Sequence, residues 1–308
     1  MWAVAFHSDG KHVLGGNGDG IRQWRLADGQ EVAKQTGMIV QAICVSRDEK
    51  WIVCGTEEQG ASVWDGELRK EAIHVEGKNM VNVVDVAADS TRFATGTSRN
   101  KEASIWNILT GRRLVGPLKH DSRVSGVRFS LSGERIATAC FSGIRIFDSH
   151  TGDKLVTIST DQPGWGAITP IEWSSDTQRI FAASRDRKIK VFDASTGTQL
   201  AESQTLHGNN DVPCVALAAN GKFVAAFADC SISFIDTSTL ARIGPIVEDG
   251  DPIWSVNISP DSTCLASGRR DGKIAIHDLG KILPDRYGPF GVSILPLYSL
   301  HVEEALKH

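Results

Sequence analysis

Seven times along the chain one short hydrophobic pattern returns: an apolar residue, two others, an apolar residue, one other, an apolar residue, then a polar turn. It begins as Met1-Trp2-Ala3-Val4-Ala5-Phe6 and recurs as Val40-Gln41-Ala42-Ile43-Cys44-Val45, Val81-Asn82-Val83-Val84-Asp85-Val86 and Val124-Ser125-Gly126-Val127-Arg128-Phe129. Three further copies start at Ile168, Val212 and Ile253. Turn clusters such as Ser8-Asp9-Gly10, Arg47-Asp48-Glu49 and Asn220-Gly221 follow, and such residues reverse an extended chain into a hairpin. A second β-rich run comes next, then a third that closes on Trp24, Trp64, Trp106, Phe147, Phe192, Ile235 and His277. These landmarks are spaced by 40, 42, 41, 45, 43 and 42 residues. After most of them a Thr-Gly type turn (Thr110-Gly111, Thr151-Gly152, Thr196-Gly197) leads into a fourth run.

Four short antiparallel strands per ~40–45 residues is the spacing of one propeller blade, and no helical period competes with it. A single blade cannot bury both faces of its sheet, whereas seven arranged radially cover each other. That explains why the innermost runs are apolar or small on both sides, as at Ala42, Cys44 and Ala216. The expected fold class is therefore all-β: a seven-bladed β-propeller of four-stranded antiparallel blades over residues 1–280, with a short C-terminal tail.

At these residues the chain resembles the WD-repeat (WD40) family over about 280 of its 308 positions. Trp64-Asp65 is the one intact Trp-Asp pair. Phe147-Asp148, Phe192-Asp193, Ile235-Asp236 and His277-Asp278 keep the Asp, and Trp106-Asn107 and Trp24-Arg25 keep the Trp. The resemblance implies, in each blade, a buried hydrogen-bonded chain of His, Ser or Thr, Trp and Asp. Here it is nowhere complete: His207 with Asp229 lacks the Trp, Ser184 with Asp186 has Phe192, and Ser267 with Asp271 has His277. His120 and His207 are read as structural, satisfying buried polar groups at the start of a repeat. The array is also similar to the regular propeller segments attached to nucleotide-binding signalling domains in fungi.

The last blade has three strands by about Leu279, so an outer strand is owed. Residues 281–308 are expected to supply it through the apolar stretch at 292–300, where Pro296 is tolerable because an outermost strand leaves one edge unpaired. The alternative is an irregular tail that leaves the edge open.

Charge narrows the function. The 33 Lys and Arg against 37 Asp and Glu leave a net charge of -4, with no basic run to track a phosphate backbone, so nucleic acid is not expected. No segment approaches the ~20 apolar residues of a membrane span, and the N-terminus lacks signal-peptide character, so no membrane is expected and the cytoplasm is the default location. Six dispersed cysteines without a CxxC pair suit reduced core thiols better than zinc or disulfides. The glycine-rich Gly15-Gly16-Asn17-Gly18-Asp19-Gly20 follows no strand-to-helix pattern and reads as a turn; Glu248-Asp249-Gly250-Asp251 reads as a solvated loop. Without an elbow, zincin or His/Cys cluster, neither enzyme activity nor a cofactor or catalytic residue is expected, although dispersed residues can build a site on any fold.

In a four-strand meander the start of the inner strand and the turn between the second and third strands share one face. That face collects Trp2, Arg123 and Trp254 from the first set and Arg99, Phe141, Arg185 and Arg270 from the second, with Trp165 in the longer loop joining blades four and five. The family resemblance implies that this face, around the central channel, docks peptides and partner proteins. Aromatic residues and arginine dominate interface hot spots, and arginine pairs with carboxylate or phosphate bidentately. The expectation is a non-catalytic interaction scaffold, a monomeric propeller or part of a larger assembly, that binds an acidic or phosphorylated peptide. The competing classes are a small-molecule or glycan-binding propeller and an enzyme with a dispersed site.

Overall fold

A computed structural model describes residues 2–75, 77, 79–159, 171–184, 186–207, 214–288 and 299–300. Within them the repeat becomes seven four-stranded antiparallel sheets, each in sequence order from inner to outer strand. Blade four is representative: Val124–Phe129, Arg135–Cys140, Gly143–Asp148 and Lys154–Ser159. In blades five and six the described inner strands are Ile171–Trp173 and Cys214–Leu217; the remainder of the stretches expected from 168 and 212 lies outside the described residues.

Two polar devices make the turns. Between the inner and second strands, the Ser46, Ser130, Ser174 and Ser259 hydroxyls accept the backbone N–H of the residue five positions on, at 2.9–3.1 Å. The same turn holds one residue in the left-handed region, glycine at Gly10, Gly133 and Gly221 but Glu49, Ser90, Thr177 and Ser262 elsewhere. Between the third and outer strands, Asp148, Asp193 and Asp236 each accept two successive backbone N–H groups at 2.8 Å. Asn107 does the same for Leu109 and Thr110. The Asp of the repeat therefore survives where its Trp is lost, because it organises a turn that the aromatic residue does not touch.

Burial is shared between neighbouring blades. Ile144, Ile146 and Ile158 of blade four, for example, form one cluster with Ile171, Trp173 and Phe192 of blade five. The inner strands are also stitched by side chains: the Phe129 N–H donates to Asp85 Oδ2 at 2.7 Å, and Asn82 Nδ2 donates to the Val124 carbonyl at 2.6 Å. Blades seven and one meet in the same way. The Val4 and Phe6 N–H groups donate to Ser255 Oγ and Asn257 Oδ1 at 3.2 and 3.1 Å, over a core of Val4, Phe6, Trp24, Ala266 and Ile276.

After Asp278 caps a four-residue helix, Leu279–Ile282, the chain crosses blade six. Leu279, Leu283 and Tyr287 join the core of that blade, and Tyr287 Oη donates to Asp236 Oδ2 at 2.8 Å. Ser299–Leu300 pairs with Ala275 and Ile274, outermost on blade seven. The rest of the stretch at 292–300 lies outside the described residues.

Candidate protein-interaction site

The inner strands enclose a cavity of about 780 Å³ that opens on the face where they begin. Of the residues expected there, Trp2, Arg123, Trp254 and Arg270 line it. Trp2 and Trp254, brought together by ring closure, lie nearly parallel, with centroids 6.2 Å apart and planes at 16°. Trp254 is 48% exposed, unusual for so large an apolar group. Arg123 is exposed and has no carboxylate within ion-pair distance among the described residues; Arg270 is exposed and touches Asp251 only at 3.9 Å. Arg99 and Phe141 are exposed on turns of blades three and four and do not line the cavity. Trp165 and Arg185 lie outside the described residues.

The cavity also reaches a residue that the sequence reading passed over. The fifth position of the inner strand carries Asp85, Arg128 and Glu172 in blades three, four and five, and these three meet. Arg128 Nε donates to Glu172 Oε1 at 3.2 Å, and its Nη1 lies 3.5 Å from Asp85 Oδ1. Burial pushes both carboxyls above their usual range even though the guanidinium opposes the shift. Burial alone would lower the Arg128 value, but Glu172 and Asp85 outweigh it and hold the guanidinium firmly protonated. The signal was present in the sequence: one repeat position that is small at Ala5, Cys44 and Ala216 holds acid, base and acid in three consecutive blades. Beside the triad, burial and the neighbouring Asp85 raise the Cys44 thiol to about 12. Cys214, on the cavity wall, is raised to about 12 by burial and is likewise a poor nucleophile. All six cysteines are free thiols; Cys54, Cys140 and Cys264 are buried, and the other three are only partly so.

The buried polar chains differ from blade to blade. His120 Nε2 meets Thr138 Oγ1 at 2.8 Å and its Nδ1 meets the Leu118 carbonyl, and burial beside Arg145 lowers its pKa to about 4. His120 is thus a neutral structural group, as expected. His207, expected to share that role, is exposed, and among the described residues it makes no such bond. In blade three Trp106 Nε1 donates to Thr95 Oγ1 at 2.9 Å. Blade seven departs furthest: Ser267 Oγ donates to Asp249 Oδ2 and meets His277 Nε2 at 3.1 Å. Asp249, read from sequence as part of a solvated loop, is 6% exposed because it replaces the family's His as the partner of this serine. Ser267 is fully buried and its hydroxyl proton goes to the carboxylate rather than to the imidazole, so the order needed to activate a serine nucleophile is not met. Among the described residues no group of three or more His, Cys, Asp or Glu is placed to hold a metal, and no helix is long and apolar enough to cross a membrane.

Comparison with known proteins agrees with this geometry. The family described as WD domain, G-beta repeat matches residues 144–193 and 244–278. Among curated proteins, the chain is 22% identical over 289 residues to the Intraflagellar transport protein 122 homolog of Xenopus tropicalis, covering 91% of this chain and 23% of that protein. It is 23% identical to Autophagy-related protein 16 of Arabidopsis thaliana, covering 87% and 53%. With WD repeat-containing protein 1 of Bos taurus the identity is 36% over 165 residues, 52% of this chain and 27% of that protein. The chain thus spans only part of each of these relatives. Among solved structures, the β-propeller domain of Cps50 (Swd1) from Myceliophteria thermophila superposes with a TM-score of 0.77 at 17% identity, covering 90% of this chain and 96% of that one. With seven four-stranded blades, a repeat every 40–45 residues and these matches, the chain folds as a seven-bladed β-propeller and carries WD40 repeats at residues 144–193 and 244–278.

Proposed function

We propose that this propeller is a non-catalytic interaction module of the cytoplasm that docks an acidic or phosphorylated peptide segment of a partner protein across the mouth of the cavity, as part of a larger assembly. Trp2 and Trp254 serve as the apolar anchor, and Arg123 and Arg270 as charge partners, with Arg99 and Phe141 as outer contacts. The observation that carries the reading is the stacked Trp2–Trp254 pair, Trp254 exposed and Trp2 half-buried, at the rim of a cavity bordered by Arg123 and Arg270, which among the described residues have no carboxylate closer than 3.9 Å. An aromatic pair left half in water costs solvation that a bound segment recovers, and arginines free of close ion pairs keep donors for a ligand carboxylate. On blade seven, Ser299–Leu300 pairs at the outer edge, away from the inner strands that line the cavity.

The test is selection of binders by the wild-type protein from a random peptide library, followed by affinity measurement with a Trp2→Ala, Trp254→Ala double variant and with Arg123→Ala. Loss of about tenfold or more on removing the tryptophans, with an unchanged melting temperature, supports the site. Selected peptides that bind the double variant equally well move the docking surface elsewhere.

A further inference from the structure

Below the tryptophan pair, the described charged side chains lining the cavity are Arg123, Arg128, Arg270 and Asp229, three cations against one anion. Arg128 is the deepest of the three arginines along blade four, four residues beyond the start of the inner strand, and it reaches the cavity while its partners Asp85 and Glu172 do not line it. Glu172 Oε1 takes both Nε and Nη2, each at 3.2 Å. Nη1 is held loosely, by the Val127 carbonyl and Asp85 Oδ1, each at 3.5 Å. With Glu172 on its Nε–Nη2 edge and Asp85 beside Nη1, the guanidinium is oriented from two sides, and its N–H groups not taken by them are donors for whatever enters.

We infer that Arg128 is the specificity-determining residue of the docking site, receiving one anionic side chain that the bound peptide inserts into the cavity. This deepens the docking reading above and rests on it. Glu172 and Asp85 are positioning residues: they fix the guanidinium and, as anions behind it, limit how tightly any inserted anion binds. Small side chains, Ala3, Ala42, Ser125 and Cys214, line part of the cavity, which leaves room for the insertion. Asn82, whose buried Oδ1 has no partner among the described residues while its Nδ2 serves Val124, adds an acceptor on the same lining, suited to a backbone N–H of the entering segment.

The triad makes the test directional. The probes are a peptide selected on the wild-type protein and the same peptide with its acidic residue changed to the matching amide, both measured by fluorescence anisotropy. The wild type is expected to prefer the acidic peptide by about ten- to a hundredfold, the range of a charge-assisted hydrogen bond. Arg128→Met is expected to erase that preference while leaving the apolar contribution of Trp254 intact. Glu172→Gln removes a competing anion and is expected to tighten the acidic peptide several-fold, which a merely structural role for the triad would not do. Because Arg128→Met leaves two buried carboxylates unpaired, the Arg128→Met, Glu172→Gln double variant serves as its folding-competent counterpart, checked by melting temperature.

An Arg128→Met protein that keeps the acidic preference, a Glu172→Gln protein that binds the acidic peptide more weakly, or a selected consensus rich in Lys and Arg each overturns the assignment. In the first two cases tryptophan-dependent binding survives, and the docking reading stands without Arg128. A wild-type protein that selects no peptide at all overturns both.

Discussion

At the residue scale the turns carry the repeat, and they make the sharpest predictions. Thr177 occupies the left-handed turn position at φ 59°, where a β-branched side chain is strained and glycine is not; Arg135 Nη2 donates to its backbone carbonyl at 2.5 Å and only loosely, at 3.5 Å, to its hydroxyl. Thr177→Gly is expected to raise stability by about 0.5–1 kcal/mol, read from the urea midpoint. The Asp193 carboxylate is held at about 2 by the Ser195 hydroxyl and the Thr196 and Ser195 N–H groups. Asp236 stays below the usual range because bonds from Ser238, Thr239 and Tyr287 outweigh its burial. A carboxyl depressed in the folded state adds stability above its unfolded pKa of about 3.9 and loses it as pH falls through the folded value. The melting temperature should therefore drop between about pH 4 and pH 2, and Asp193→Asn should flatten that drop in an acid titration followed by circular dichroism. Sequence alone exposed these aspartates as recurring turn residues. It did not distinguish Asp249, because the partner Ser267 is 18 positions away and only the fold shows that they meet.

At the scale of the element, blade against blade, small residues decide how closely sheets approach. A Cβ on Gly55 would lie 2.5 Å from the Val81 carbonyl oxygen, and one on Gly96 would lie 2.6–2.7 Å from methyl groups of Val83 and Val124. Backbone cannot yield as a side chain tip does, so Gly55→Ala is expected to cost about 2–3 kcal/mol, the upper range of overpacking, measured by chemical denaturation. The outer strands show the opposite concern. Val32, Leu114, Leu155 and Leu200 each sit at a register shift opposite the end of the third strand and are 40–53% exposed. Such bulges twist an edge strand away from flat pairing with another chain, which offsets the exposed aliphatic surface. Strand order and the position of every hairpin were legible from period and turn chemistry. The bulges were not, since an extra residue in a strand leaves no mark when both faces of the outer strand are mixed in polarity.

For the whole molecule, closure is the decisive event. Blade one donates two inner-strand N–H groups to blade seven, and Leu279, Leu283 and Tyr287 bind the crossing segment into the core of blade six. Removal of residues 289–308 is expected to lower the melting temperature while keeping one cooperative transition. Removal from residue 279 onward strips three core side chains, at about 2–5 kcal/mol for each large aliphatic, and is expected to prevent folding; calorimetry of the two truncations distinguishes them. The architecture was determined by the sequence itself, because period, alternation and turn residues are local properties repeated seven times, and local signals that agree with one another leave few alternatives. The stacking of Trp2 on Trp254, the Asp85–Arg128–Glu172 triad and the cavity that Arg128 enters were decided only by the tertiary structure. Those contacts join residues 252 positions or about one whole repeat apart, and the distance between such residues is set by how the blades close into a ring rather than by anything adjacent in the chain.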